Sequence, residues 1–179
     1  TLVIEPDGHD GLSFLPGQVA WLTIRTSPFD IREHPFSFSC SAVHPERIAF
    51  AIRELGDMTS TIKDLKPGER VYVDGPYGTF DLDQHQAPGY VFIAGGIGVA
   101  PIMSMLCSLA DRGDERPLYM FYGNRTLESA AFYEQLQSLE QELNLTVVHV
   151  AEEPPEGWMG EVGFMNAEML GRHLPEVVD

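Results

Sequence analysis

YVFIAGGIGVAP, residues 90–101, begins as a continuous apolar run and ends in a glycine-rich turn. A short apolar run before a turn predicts a buried strand, and the segment that follows predicts a helix at about residues 99–111. Gly95, Gly96 and Gly98 permit a tight turn, let a pyrophosphate approach the backbone, and leave helix N–H groups directed at the anion. The stretch therefore predicts a dinucleotide-binding turn, with an ordinary glycine-rich strand-to-helix turn as the alternative.

Pro101 stands where the usual dinucleotide fingerprint has its third glycine. A proline fits the first turn of a helix, because its missing N–H needs no partner there. The predicted elements from here to residue 150 are a strand at 90–95, a helix at about 99–111, a strand at 117–123, a helix at about 128–143 and a strand at 145–150. This βαβαβ alternation predicts a parallel sheet with helices on its faces and right-handed crossovers.

The second of these strands ends at YGNRT, residues 122–126. About twenty residues after a dinucleotide turn, an acid favours NAD and an arginine favours the 2′-phosphate of NADP. Arg125, with Thr126 beside it, therefore predicts NADPH, while NADH stays possible. The alternative is that Arg125 is a solvated loop residue and that Asn124 and Thr126 cap the next helix.

Toward the N-terminus, residues 1 to about 82 alternate between short strand patterns and turns. The predicted strands are 19–24, 36–41, 47–53 and 70–74, interrupted by one helix at 58–65 that begins with a turn at Gly56 and an N-cap at Asp57. We therefore predict two domains, a small antiparallel β-barrel at 1–86 and an α/β nucleotide-binding domain at 87–179, joined through the polar segment 81–89.

HPFS, residues 34–37, enters a strand in which hydroxyls recur at Ser37, Ser39 and Ser41. A flavin needs an aromatic face against its ring and a small hydrogen-bond partner near N5, which Phe36 and Ser37 would supply. We predict Ser37 as the catalytic residue, in the sense of tuning N5. The alternative for Phe36 is an ordinary core aromatic.

GDMTS, residues 56–60, offers the backbone N–H groups that a flavin pyrophosphate requires. The helix start at Gly56, the hydroxyls of Thr59 and Ser60, and the cation of Arg53 are the predicted contacts. The alternative is an ordinary helix cap.

Composition narrows the classes of function. The 11 basic and 27 acidic residues give a formal net charge of −16, which argues against nucleic acid and anionic membrane surfaces as partners. The two cysteines, predicted in a strand and a helix, and the scattered histidines predict neither a disulfide framework nor a metal site. No apolar run is long enough to cross a bilayer and no signal peptide is apparent, so we expect a soluble chain.

Taken in order, six motifs resemble the ferredoxin–NADP reductase superfamily: PGQ (16–18), HPFS (34–37), GDMTS (56–60), GPYGTF (75–80), GGIGVAP (95–101) and YGNRT (122–126). The set looks most like the dehydrogenase portion of ferric reductases and NADPH oxidases, in which HPF followed by Ser or Thr replaces the Arg-x-Tyr-Ser flavin motif. The resemblance implies an FAD-binding barrel followed by an NAD(P)-binding domain. The implied contacts are the HPFS residues His34, Pro35, Phe36 and Ser37 with the flavin, Gly56, Met58 and Thr59 with its phosphates, and Gly96, Gly98 and Pro101 with NADPH.

The resemblance also implies that the barrel lacks its first strand and that the α/β domain lacks its last strands, with the late Cys-Gly-Pro motif. We expect an FAD-dependent NAD(P)H oxidoreductase that passes electrons singly to an acceptor, as the part of a larger protein at the cytoplasmic face of a membrane whose heme domain accepts the electrons. The alternatives are a soluble electron-transfer subunit for an iron–sulfur or heme partner, as in dihydroorotate dehydrogenase subunits or flavohemoglobins, and a non-catalytic nucleotide-binding docking module.

Overall fold

The computed structural model describes residues 1–24 and 34–175, and of Asp57 and Met58 it describes the backbone. By their contacts the described residues form two compact units, the first within 1–86 and 100–112 and the second within 87–99 and 113–175. The predicted fold class is confirmed, since antiparallel sheets make up the N-terminal part and a parallel sheet with helices makes up the C-terminal part. The assignment of cofactors to the predicted domains stays a prediction.

The first unit contains two antiparallel sheets. Its strands are β1 (Leu2–Ile4), β2 (Val19–Ile24), β3 (His34–Ser37), β4 (Ile48–Phe50) and β5 (Val71–Tyr77), and its short helix α1 (Asp57–Thr61) runs into a 3-10 turn at Ile62–Asp64. Strand β1 pairs with β4, and β2 lies between β3 and β5. In its core the ring of Phe38 stacks on that of Phe14, with centroids 4.0 Å apart, and contacts the tilted ring of Phe50, with centroids 4.9 Å apart.

The second unit is a parallel sheet in the order β6-β7-β8-β9. The strands are β6 (Tyr90–Gly95), β7 (Leu118–Asn124), β8 (Leu145–Ala151) and β9 (Glu161–Val162), and the helices along this part of the chain are α2 (Val99–Asp111), α3 (Tyr133–Glu142) and α4 (Ala167–His173). Met169 of α4 packs with Phe121, Val148 and Val150 on one face of the sheet. Because β6, β7 and β8 are parallel, their carboxyl ends meet at one edge, where ligands of such sheets bind.

Helix α2 belongs by its contacts to the first unit, although it lies in sequence between two strands of the second. The Ser108 hydroxyl accepts a hydrogen bond of 2.9 Å from the N–H of Ala42. Near the end of the helix, Arg112 donates to both carboxylate oxygens of Asp83, at 2.6 and 3.1 Å. These bonds hold the helix in the first unit.

Several predicted boundaries were wrong. The strand predicted at 36–41 begins at His34 and ends at Ser37, because the chain then turns to β4, where Phe38 bridges Phe50 and the Ser39 N–H donates to Ala49 O at 2.8 Å. Strand β4, Ile48–Phe50, is also shorter than the strand predicted at 47–53. Cys40 lies after β3 rather than inside a strand.

Two helix starts were also misplaced. Gly56, not Asp57, is the N-cap of α1. The helix predicted to begin near residue 128 begins at Tyr133, because a separate 3-10 turn at Leu127–Ser129 precedes it and Phe132 adopts a left-handed conformation at φ 62°. Strands β1 and β9 and helix α4 were not predicted, since they are short.

No helix in the described part of the chain combines the length and apolar character needed to cross a bilayer. Within residues 1–24 and 34–175, strand β6 pairs with β7 and forms one edge of the parallel sheet.

Candidate functional site

Strand β3 carries the HPFS residues, and they differ in exposure. His34 and Pro35 are exposed, whereas Phe36 and Ser37 are partly buried. Phe36 pairs with Ala20 of β2, and directly opposite residues of antiparallel strands share a face, so its ring points toward the core and packs against it in part. The alternative of a core aromatic is therefore partly correct, while some of the ring remains accessible.

The hydroxyls that follow Phe36 have different roles. The buried Ser39 hydroxyl donates to Ala49 O at 3.2 Å, and the buried Ser41 hydroxyl accepts from the Val43 N–H at 3.2 Å. Both bonds satisfy polar groups inside the first unit. Ser37 is partly buried and is therefore the most accessible of the three hydroxyl residues, and its contact with a flavin stays a prediction.

In the turn before α1, the hydroxyl of Thr59, a predicted phosphate contact, is engaged in hydrogen bonds with the backbone of the turn itself. The Thr59 hydroxyl accepts hydrogen bonds from the N–H groups of Leu55 and Gly56, at 2.9 and 3.0 Å, and donates to Gly56 O at 3.0 Å. Arg53 is exposed and Ser60 is partly buried. The side chain of Met58 lies outside the described residues.

The glycine turn follows β6 directly. Gly95 ends the strand with extended backbone, at φ −125° and ψ 128°, and a 3-10 turn at Gly96–Gly98 leads into α2 at Val99. The Val99 N–H donates to Gly96 O and to Ile97 O, so the turn is continuous with the helix. Gly96 adopts φ 50°, a left-handed conformation that favours glycine.

Gly95 and Gly98 differ from Gly96, because neither is required by the backbone. Neither has a left-handed φ, and a Cβ built on either residue would meet no atom of the described chain within 4 Å. The fold therefore leaves open space at both positions. A phosphate that approaches the backbone closely would occupy such space, so these residues fit a bound dinucleotide.

Arg125 and Thr126 follow β7, and each holds a carboxylate. Arg125, whose side chain is 74% exposed, donates from Nε to Glu153 Oε1 at 2.9 Å, and this bond raises the pKa of its guanidinium. The pKa of Glu128 is lowered by a hydrogen bond from its own backbone N–H and by a second one from the side chain of Thr126. The residues predicted to meet the adenosine ribose are thus already engaged with acids.

The arginines of the second unit, Arg116, Arg125 and Arg172, are each ion-paired within the unit. Arg116 pairs with Asp114 at 2.6 Å and Arg172 with Glu161 at 2.7 Å. Neutralised arginines add little attraction for an anionic ligand. This charge balance bears on how strongly the unit can distinguish NADPH from NADH.

Beside the carboxyl end of β7, an open groove is lined by side chains between Leu127 and Gln135. Phe132, in its left-handed conformation, lies on this groove. Behind it, His149 of β8 packs with its ring centroid 4.8 Å from that of Tyr133, and burial lowers the pKa of its imidazole. The groove could not be predicted from the sequence, because the backbone conformation of the loop that lines it does not follow from a pattern of apolar residues.

The predicted site residues thus fall into two sets, one in each unit. His34 to Ser37 and the turn at Gly56 to Ser60 belong to the first unit, whereas Gly95, Gly96, Gly98, Arg125 and Thr126 belong to the second. Pro101, the third residue of α2, is partly buried and is assigned with the first unit.

Comparisons with known proteins agree with this arrangement. The oxidoreductase NAD-binding domain family matches residues 92–178. Sulfhydrogenase 2 subunit gamma of Pyrococcus furiosus is 33% identical over 134 residues, which cover 74% of this chain and 45% of that protein. The reductase component of propane 2-monooxygenase of Rhodococcus jostii is 28% identical over 182 residues, which cover 97% and 48%. The chain spans about half the length of these curated relatives.

The fold is also found among solved structures. The cytochrome b5 reductase domain of Ulva prolifera nitrate reductase superposes with a TM-score of 0.78 at 17% identity, covering 96% of this chain and 75% of that one. The family match identifies residues 92–178 of this chain as an oxidoreductase NAD-binding domain, and the superposition shows that the chain has the two-domain fold of the ferredoxin–NADP reductase superfamily.

Proposed function

We propose that this chain is a flavin-dependent oxidoreductase module that takes a hydride from NAD(P)H and passes electrons singly to an acceptor. The proposal rests on Gly95 and Gly98. Neither the backbone conformation nor the packing of the chain requires glycine at these two positions. A dinucleotide pyrophosphate bound at the end of β6 would explain why both residues are glycine, because it would occupy the space that a side chain would fill.

FAD is the proposed resident cofactor, and β3 carries the residues that would hold it. Phe36 would contribute the accessible part of its ring, and Ser37 a hydroxyl at the flavin edge. Thr59 would act indirectly, by keeping the turn at Gly56 in the shape that exposes backbone N–H groups. When bound, the flavin supplies the conversion of a two-electron hydride into single electrons, so the side chains need only bind, orient and exclude water.

The proposed cofactor is NADPH or NADH, with a small preference between them. Arg125 is the candidate contact for a 2′-phosphate, but Glu153 competes for the same guanidinium. NADPH would have to displace this carboxylate, so the gain from a charge-assisted bond to phosphate is reduced by the loss of the ion pair. We therefore expect much weaker discrimination than an unpaired arginine would give.

For the acceptor, we propose a heme, supplied by a membrane domain of the ferric reductase or NADPH oxidase type. Support comes from HPFS, residues 34–37, which resembles the flavin motif of those proteins. A soluble electron-transfer subunit is the second candidate. It is favoured by the relatives that are named as a reductase component and as a subunit of a larger enzyme.

The test is to purify the protein as it occurs, add FAD, remove the excess, and record the visible absorption spectrum. NAD(P)H oxidation is then followed with ferricyanide, two of which accept the electrons of one hydride. We expect retained flavin and ferricyanide reduction with both nicotinamides. Absence of flavin after reconstitution would reject the enzyme and favour a docking module. Co-purified heme would support the membrane acceptor, and reduction of soluble iron–sulfur or heme proteins in its absence would support the second candidate.

A further inference from the structure

The hydroxyl of Tyr122 links two loops at the carboxyl end of the parallel sheet. Tyr122 is fully buried in β7. Its Oη lies 3.2 Å from Gly96 O in the glycine turn and 3.2 Å from Ala131 O in the segment between β7 and α3. A single hydroxyl proton is thus shared between carbonyls of separate loops.

Both carbonyls lie at left-handed residues. Gly96 itself has φ 50°, and the Ala131 carbonyl belongs to the peptide that leads into Phe132, at φ 62°. A left-handed conformation is unfavourable for a non-glycine residue and persists only when the surroundings fix it. The hydrogen bonds to Tyr122 are contacts that can fix it, since each joins a peptide of the turn to the rigid strand.

Asn124, two residues further along β7, is buried as well, and its Oδ1 has no hydrogen-bond partner within the described residues. Burial raises the pKa of Tyr122, so its hydroxyl keeps the proton that it donates to the two carbonyls.

We propose that Tyr122 is a positioning residue for nicotinamide dinucleotide binding, because its hydroxyl fixes the glycine turn and the Phe132 loop to β7. The inference rests on the proposed function, since the two loops flank the proposed dinucleotide site. A tyrosine that merely filled the core would need its ring and not its hydroxyl. Tyr122→Phe distinguishes these roles, since it keeps the ring and removes the oxygen.

Tyr119→Phe is the matched control, because Tyr119 lies on the same strand and packs on the opposite face with the Phe121 cluster. Amide hydrogen exchange of the full chain is measured without ligand, and KM and kcat for NADH are measured in the flavin-loaded protein. For Tyr122→Phe we expect faster exchange at residues 96–99 and 130–133 but not in α4, and a KM raised roughly 5- to 100-fold, as for a buried acceptor left unpaired, with kcat within about twofold. Tyr119→Phe should change neither.

Unchanged exchange at both loops, or equal acceleration throughout the second unit, overturns the inference. So does local acceleration without a rise in KM, because the loops would then be held for another purpose. If the wild-type protein binds no nicotinamide at all, the proposed function fails, and with it the assignment to dinucleotide binding. Exchange would still show whether the hydroxyl holds the loops.

Discussion

Replacing Gly95 or Gly98 with alanine separates what the fold needs from what a ligand needs. The added methyl group would meet no atom of the described chain within 4 Å, and neither residue has a left-handed φ. Stability should therefore stay within about 0.5 kcal/mol of wild type, with a small gain possible from the stiffer unfolded chain. Gly96→Ala is the contrasting variant, since φ 50° should cost it roughly 1 to 2 kcal/mol.

Dinucleotide affinity, unlike stability, should be sensitive to alanine at Gly95 and Gly98. A methyl group placed in the space proposed for phosphate acts like overpacking, which costs about 1 to 3 kcal/mol and lowers affinity roughly 5- to 150-fold. We expect Gly95→Ala and Gly98→Ala to lose NADH affinity at unchanged stability, whereas Gly96→Ala loses stability as well.

Urea denaturation gives the free energy of unfolding, and calorimetric titration with NADH gives the affinity. Wild-type affinity in both Gly95→Ala and Gly98→Ala would refute the reasoning, because the open space would then have no ligand. A large loss of stability in either variant would also refute it, since the glycine would then serve the fold.

Phe36→Ala should weaken flavin retention by about 1 to 3 kcal/mol through lost stacking area, measured as FAD released on gel filtration; unchanged retention removes Phe36 from the site. Arg125→Ala should remove what preference for NADPH exists, and Glu153→Gln should increase it, as read from the ratio of KM values. Equal changes in the KM values for NADPH and NADH would instead assign the Arg125–Glu153 ion pair a role in folding. Burial lowers the folded-state pKa of His149 below its ordinary 6.5, so the unfolded chain binds the proton more readily and stability falls as the pH drops from that value toward the folded pKa. Urea denaturation at about pH 5.5 and pH 7.5 should show this loss in wild type and less of it in His149→Phe; an equal loss in both would contradict it.

Local patterns predicted the central part of the second unit well. Strand β6 ends at Gly95 and helix α2 spans Val99–Asp111, as the apolar run and the glycines indicated. These signals are contained in a few adjacent residues, because strand, turn and helix start follow one another directly. The same holds for β2, whose bounds of Val19–Ile24 were predicted from alternation.

Features made by distant residues could not be predicted this way. Strand β3 ends where the chain exchanges β2 for β4 as its partner, which depends on how the sheets are arranged. The partner of Arg125 comes from the residues after β8, so the sequence near YGNRT gave no sign that the guanidinium is neutralised. The bridge made by Tyr122 is equally non-local, since its acceptors lie on either side of it in the sequence.

The assignment of α2 to the first unit has a consequence for any attempt to use that unit as a separate part. The chain passes between the units after residues 86, 99 and 112, so the first unit is not a contiguous stretch. A fragment cut at Gln86 would lose the hydroxyl that accepts from Ala42 and the guanidinium that holds Asp83. It would also lose Met105, whose side chain packs beside Gly17, so that a Cβ built on this glycine would lie 2.4 Å from Met105 Cε. A transplantable version must carry residues 100–112 with it, for example by circular permutation, and cannot be made by truncation alone.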